Sequence, residues 1–182
     1  MAKPRLLLHM CCAPCSTHVI NLLRESYEVV AFFYNPNIHP RKEHASRFEE
    51  SVAFTKKVRI PLHDEAYDPK EWFDRIKGHE DEPEGGERCK KCYELRLEKT
   101  AEKASREGFD VFTTTLTISP HKKADIINGI GKKLAQRYGV SFLEADFKKR
   151  DGFKKSVELS RWHGLRRQNY CGCIYSKKKK KI

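Results

Sequence analysis

Short segments rich in leucine, β-branched and aromatic residues alternate along this chain with longer stretches whose apolar residues recur at helical spacing. That alternation restricts the fold more than any other feature. Arg5 to Met10 reads as a strand, followed by a helical stretch with Val19, Leu22 and Leu23 on one face. Tyr27 to Tyr34 is a second strand, ending at the turn signal Asn35-Pro36-Asn37. A helix through Phe48 and Val52 leads to a weaker strand, Lys57 to Leu62, interrupted by Pro61. After Trp72 to Lys77 comes a polar loop, Glu80 to Arg88, and then Tyr93, Leu97, Ala101 and Ala104 mark a helix that ends by Gly108. Asp110 to Ile118 reads as a strand, Ile127 to Tyr138 as a helix, Val140 to Leu143 as a strand and Phe153 to His163 as a helix.

Strands that alternate with helices predict a mostly parallel sheet covered on both faces. In such sheets ligands bind outside the carboxyl ends of the strands. The distinctive segments all follow strands: Cys11 to Cys15, Asn35 to Pro40, Thr115 to Lys122 and Asp146 to Lys149. They are expected to share one rim. With no internal repeat and no dividing linker, residues 1–176 are read as a single α/β domain and 177–182 as a basic, disordered tail.

Hydrophobic residues make up 38% of the chain, too many for a disordered one. The longest apolar run near the N-terminus, Leu6 to Leu8, is far short of the roughly 18 residues of a membrane span, and no signal peptide fits. A soluble, cytoplasmic protein without membrane contact is expected. The net charge is +12, and Lys177 to Lys181 supply five of those charges, leaving about +7. An excess of that sign attracts polyanions such as RNA, and a solvated Lys/Glu-rich surface produces it equally well.

Seven cysteines in a reducing compartment call for chemistry other than disulfides. They cluster as Cys11, Cys12 and Cys15, as Cys89 and Cys92, and as Cys171 and Cys173. Structural zinc would use four, and the Cys89-x2-Cys92 spacing suits it, but three thiols would be left without a task. Adjacent Cys11 and Cys12 are expected to point apart, as neighbours do in extended chain, and so to reach two metal atoms. A thioredoxin-like dithiol, Cys12-Ala-Pro-Cys15 at a helix start, would leave five unexplained. An iron–sulfur cluster takes four thiolates and leaves three for a second metal or for redox work, which is the best account of the spacing.

The sequence contains, in order, His9-Met-Cys-Cys-Ala-Pro-Cys-Ser16, Tyr34-Asn-Pro-Asn-Ile38, Glu82-Pro-Glu-Gly-Gly86 with Arg88-Cys-Lys-Lys-Cys92, Thr113-Thr-Thr-Leu-Thr-Ile-Ser-Pro-His-Lys122, Asp146-Phe-Lys-Lys149 and Arg167-Gln-Asn-Tyr-Cys-Gly-Cys173. This series resembles the motifs of the QueH family, the cobalamin-independent epoxyqueuosine reductases. Departures are Arg166, where that family carries tyrosine, and the lysine tail. The resemblance implies reduction of epoxyqueuosine to queuosine at the wobble position of a tRNA, by a [4Fe-4S] cluster beside a separately bound metal, iron, with cysteine and aspartate ligands. It also implies a Rossmann-like parallel sheet similar to the PP-loop or HUP fold of adenine nucleotide α-hydrolase-like domains. A cysteine motif stands where relatives of that fold carry a phosphate-binding loop.

On this reading Cys11, Cys12, Cys15, Cys89, Cys92, Cys171 and Cys173 all lie in or beside the metal centre. Asp146 is the candidate carboxylate ligand of the second metal, with Glu82 as the alternative; a simple partnership of Asp146 with Lys148 or Lys149 is the structural alternative. His9 and His121 are candidates for donating protons to the leaving oxygen or orienting substrate. Lys122, Lys148, Lys149, Arg166 and Arg167 are candidates for RNA phosphate contacts, and Tyr34 and Tyr170 for stacking on bases. The partners implied are a tRNA carrying epoxyqueuosine and, since no flavin or nicotinamide fingerprint is visible, an external low-potential electron donor. The competing classes are a zinc-binding RNA-binding module and a dithiol oxidoreductase.

Overall fold

The computed structural model describes residues 2–177. All but the first residue of the expected basic tail lies outside the described residues. Five parallel strands form one sheet. β1 (Arg5–His9) is central, flanked by β2 (Glu28–Phe33) and β4 (Val111–Thr114), with β3 (Leu62–Asp64) and β5 (Ser141–Phe142) at the edges, giving the order β3-β2-β1-β4-β5. Leu7 stands opposite Val30 on one side and Phe112 on the other.

Leu6, Leu7 and Leu8 are wholly buried, because a parallel strand covered on both faces needs apolar side chains in both directions. Each such leucine contributes roughly 1.5–3 kcal/mol by leaving water. Leu7, Phe32 and Phe112 pack under α3 (Pro69–Ile76), α4 (Glu87–Arg106) and α5 (Ala124–Tyr138). Leu6, Leu8 and Ala31 pack under α1 (Ala13–Leu23) and α2 (Arg41–Val58). The last helix, α6 (Gly152–Trp162), lies against α1. Among the described residues no helix is long and apolar enough to cross a membrane.

Two strand expectations are corrected. The strand read at Lys57 to Leu62 lies instead at Leu62–Asp64, because α2 continues to Val58 and ends on Arg59 in a left-handed conformation, φ 60°. The strand read as far as Ile118 stops at Thr114. There the Thr114 hydroxyl accepts from Leu116 N at 3.1 Å, and the chain enters a 3₁₀ turn, Thr115–Ile118. This side-chain bond competes with the ladder as threonine readily does.

The strand order reverses between β1 and β4, so the crevice beyond their carboxyl ends is the natural ligand position in this sheet. The segments after these two strands, Cys11–Cys15 and Thr115–Lys122, flank that crevice.

Candidate metal centre

From the end of β1 the chain turns through Met10 and Cys11, and Cys12 is the N-cap of α1. Thr115, arriving from β4, fixes this turn: its Oγ1 accepts from Cys11 N at 3.1 Å and donates to Cys11 Sγ at 3.2 Å. Asn35 Nδ2 donates to Met10 O at 2.9 Å from the β2 side. Pro14 in the first turn of α1 ends the extended geometry at once. The thiols of Cys11, Cys12 and Cys15 therefore converge, all within 4.8 Å of one another, with 3.9 Å between Cys11 and Cys12. This corrects the expectation that the adjacent pair points apart. The turn, not an extended segment, sets the direction of both. Hydrogen bonds from Cys12 and Cys15, helped by Thr115 and the Lys122 charge, draw the Cys11 thiol well below its usual range against the effect of burial. Hydrogen bonding to Cys11, with burial and the Cys11 charge adding to it, pushes Cys12 well up and Cys15 up to about 12.

Cys89 and Cys92 occupy the first two turns of α4 at helical spacing, on one face. The preceding loop is pinned to them: Arg88 donates to the carbonyls of Glu80 and Glu82, and Gly85 N donates to Cys89 Sγ at 3.2 Å. Cys171 and Cys173 come from the far end of the chain. Buried Arg47 on α2 donates to Cys171 O at 3.2 Å and to Tyr170 O at 3.4 Å, and its Nε pairs with Glu43 at 2.8 Å. His39 N donates to Gly172 O at 2.8 Å. Gly172 has φ +110°, and a Cβ there would come within 2.8 Å of Ile38 Cγ1, so the bend between the two cysteines requires glycine. The Cys173 thiol draws Cys171 well below its usual range and is itself pushed up. Burial pushes Cys92 up.

Two adjoining cavities result. The larger, about 390 Å³, is lined by Cys11, Cys12, Cys15 and Cys171, by the apolar Leu116 and Ile118, and by His121, Lys122, Arg167 and Tyr170. A narrower one is lined by Cys89, Cys92, Cys171 and Cys173 together with Trp72. Cys171, Arg96, Lys122 and Glu84 border both. All seven cysteines, from three separate parts of the chain, thus meet in one region.

The other expected residues divide. His121, Lys122, Arg167 and Tyr170 line the larger cavity. Arg167 is braced by bonds to Ser156 O and Ser160 Oγ, and Tyr170 OH donates to His39 O. Asp146, Lys148 and Lys149 line a neighbouring groove of about 1080 Å³ that shares Pro120, His121 and Lys122 with the cavity. There Asp146 Oδ1 accepts from Lys148 Nζ at 2.7 Å. Arg166 pairs with Glu43 at 3.0 Å, and Glu82 accepts from Glu87 N at 3.4 Å.

Two residues are corrected. His9 is wholly buried, its Nδ1 2.8 Å from Thr114 Oγ1 and its Nε2 3.2 Å from Tyr34 O. Burial, reinforced by the Arg96 charge, lowers its pKa to about 4, and with both ring nitrogens held by protein partners it braces the strand ends and lines neither thiol cavity. Tyr34 is 3% exposed, stacks on Phe32 and donates to Glu71 at 2.6 Å, so no base can reach its face. His9 ends β1 and Tyr34 directly follows β2, so both stand at the rim end of the sheet, but their side chains turn inward. Sequence reasoning missed Glu84, Arg47, Arg96 and Trp72. Of these only Glu84, between Pro83 and the Gly85-Gly86 pair that precedes Cys89, and Arg96, one helical turn past Cys92, carried any local signal.

Residues 6–179 match the family described as "Epoxyqueuosine reductase QueH". Proteins of that name to which the chain is similar include those of Haemophilus influenzae, 47% identical over 94% of this chain and 71% of the relative, and Streptococcus pyogenes, 40% identical over 97% and 71%. The Thermotoga maritima protein of that name is 38% identical over 93% of this chain and 88% of its own. Among solved structures, the chain is similar in fold to the U34-tRNA thiolase NcsA from Methanococcus maripaludis with its [4Fe-4S] cluster, at TM-score 0.59 and 17% identity, over 97% of this chain and 62% of that one. A predicted subunit of a tRNA methyltransferase from Methanocaldococcus jannaschii gives 0.57 at 11% identity, over 84% and 75%.

Proposed function

Because the chain belongs to the QueH family of epoxyqueuosine reductases, we propose that its thiol-lined cavity reduces the epoxide of epoxyqueuosine, at the wobble position of a tRNA in the cytoplasm, to the alkene of queuosine. The reaction takes two electrons from an external low-potential donor and two protons, breaks both C–O bonds of the epoxide and releases its oxygen as water. The observation that carries this reading is the convergence of seven thiols on two adjoining cavities, with Cys171 in both.

The donor set fits the metals such a reaction needs. Thiolates about 2.3 Å from one tetrahedral ion stand close to 3.8 Å apart, and Cys11 and Cys12 are 3.9 Å apart with Cys15 within 4.8 Å. No three of the other four thiols come that close among the described residues, as suits ligands spread around a larger group. Trp72 Nε1, buried beside the narrower cavity, meets no acceptor other than the neighbouring Cys92 thiol among the described residues, as suits an N–H directed to sulfur. We therefore assign Cys89, Cys92, Cys171 and Cys173 to a [4Fe-4S] cluster, and Cys11, Cys12 and Cys15 to a second metal, iron. When bound, the cluster supplies electrons singly and an iron with an open position supplies a Lewis acid.

The chain's own residues do the rest. Leu116 and Ile118 give the cavity an apolar wall against which the carbocyclic ring can lie free of water. His121 lines the mouth and is the residue to hand a proton to the departing oxygen. Tyr170 offers a partly exposed ring beside the same opening for stacking. Lys122, at the junction of cavity and groove, holds negative charge on either side. Lys148, Lys149 and Arg167 attract the phosphates flanking the modified base, with Arg166 further out.

Glu84 is the carboxylate that borders both thiol cavities, and Asp146 faces the groove. Glu84→Gln is accordingly expected to lower kcat about 10²-fold with tRNA affinity unchanged, and Asp146→Asn to lower it far less. The reverse order would restore Asp146 as the metal's carboxylate. The function is tested with anaerobically reconstituted protein, a low-potential reductant and tRNA carrying epoxyqueuosine. Nucleoside mass spectrometry should show loss of one oxygen from the modified base. An unchanged nucleoside in the presence of intact cluster and reductant would refute the reading, and a colourless protein with one zinc per chain would favour a zinc-binding RNA module.

A further inference from the structure

Arg96 stands on α4 one turn beyond Cys92 and is 4% exposed. Its guanidinium borders both thiol cavities. Nε donates to Cys92 O at 3.2 Å and Nη1 to Asn35 Oδ1 at 3.4 Å, and among the described residues it has no carboxylate partner. Groups around it that can carry negative charge include the thiols of Cys92, Cys11 and Cys171 and the phenol of Tyr93, and exposed Glu84 lines the same two cavities. A guanidinium stays charged in proteins, and an uncompensated buried charge is too costly for two hydrogen bonds to neutral acceptors to hold. A charge this deep requires negative charge beside it, and the thiol side supplies it.

The same cavity holds a second donor. Trp72 is wholly buried, and its indole N–H, which meets no other acceptor among the described residues, lies close enough to the Cys92 thiol to favour that thiol's charged form. Cation and N–H thus approach one set of four cysteines from two helices, α4 and α3.

We infer that Arg96, assisted by Trp72, sets the reduction potential of the cluster that these cysteines carry, favouring its reduced state. The inference rests on the cluster assignment above and adds a role for two residues that ligate nothing. When the external donor gives up one electron, the cluster takes it, no bond forms or breaks, and the site becomes more negative by one charge. A fixed cation in a medium of low dielectric stabilises the reduced site more than the oxidised one, and N–H bonds to sulfur act in the same sense.

The test is a redox titration of reconstituted holoprotein, followed by electron paramagnetic resonance, on wild type, Arg96→Gln, Arg96→Lys and Trp72→Phe, with iron and sulfide counted in each. At a fixed ambient potential, Arg96→Gln should lower the ratio of reduced to oxidised cluster at least tenfold, or 59 mV for a one-electron couple. Arg96→Lys, which keeps the charge, should stay near wild type, and Trp72→Phe should shift in the same direction by less. Unchanged potential in fully loaded Arg96→Gln overturns the inference, as does an equal shift in Arg96→Lys, which would make shape the cause. If Arg96→Gln takes up no iron and Arg96→Lys does, the charge requirement stands in stronger form; if neither does, Arg96 is a packing residue and the inference falls. An unshifted Trp72→Phe removes Trp72 from it. Wild type that binds no iron or sulfide at all refutes the cluster assignment itself, a result distinct from all of these.

Discussion

Cys92→Ser is expected to strip the protein of about four irons with their labile sulfide, because a [4Fe-4S] cluster needs four thiolates, and with them of all detectable reduction of epoxyqueuosine. Cys92 is buried in the narrower cavity. A serine hydroxyl there remains protonated at neutral pH and binds iron poorly. Cys11→Ser makes the informative contrast. It should remove about one iron per chain and leave sulfide unchanged, since the close triad suits a single ion. Iron and sulfide assays on the two variants, prepared anaerobically in parallel, separate the two sets. Loss of sulfide from Cys11→Ser together with its retention in Cys92→Ser would reverse the assignment. Binding of tRNA should survive both changes, because the basic groove stands outside the thiol sets.

Affinity for tRNA is expected to fall steeply with salt. Lys122, Lys123, Lys148, Lys149, Arg150 and Lys155 line the groove that opens from the cavity through Pro120 to Lys122. If about four of them neutralise phosphates, a slope of roughly −0.7 to −0.9 per contact in log K against log salt predicts a loss of about 10²-fold between 50 and 200 mM. Lys149→Ala and Lys123→Ala should each reduce that slope by about 1. Lys148→Ala should reduce it less, because Asp146 already shares its charge at 2.7 Å. None of the three should change kcat at saturating tRNA, since uniform binding is what they supply. A flat salt response would place RNA binding elsewhere on the molecule.

The periodicities of the chain already implied the parallel sheet, and they did so through local chemistry. Leu6 to Leu8 can be apolar in every direction only in a strand covered twice, and the helices between strands force parallel connections. The rim was legible for the same reason, since residues that follow parallel strands must emerge at one edge. The cysteine motifs announced a metal through residue type and spacing, and the family resemblance through their order. What the sequence could not contain was the direction in which each rim residue points. His9 and Tyr34 stand at the rim ends of β1 and β2, yet both turn into the protein. Asp146 and the thiols follow neighbouring strand ends and line different cavities. Cys11 and Cys12 converge because Thr115, 104 residues away from Cys11, holds the turn. Cys171 reaches the centre because Arg47, 124 residues distant, binds its carbonyl. The buried Arg96 and Trp72 owe their surroundings to the packing of α3 and α4 over the sheet. Strand and helix periods are written in covalent neighbours, whereas burial and side-chain direction are set by contacts between segments far apart in the chain, and those exist only once the sheet has assembled.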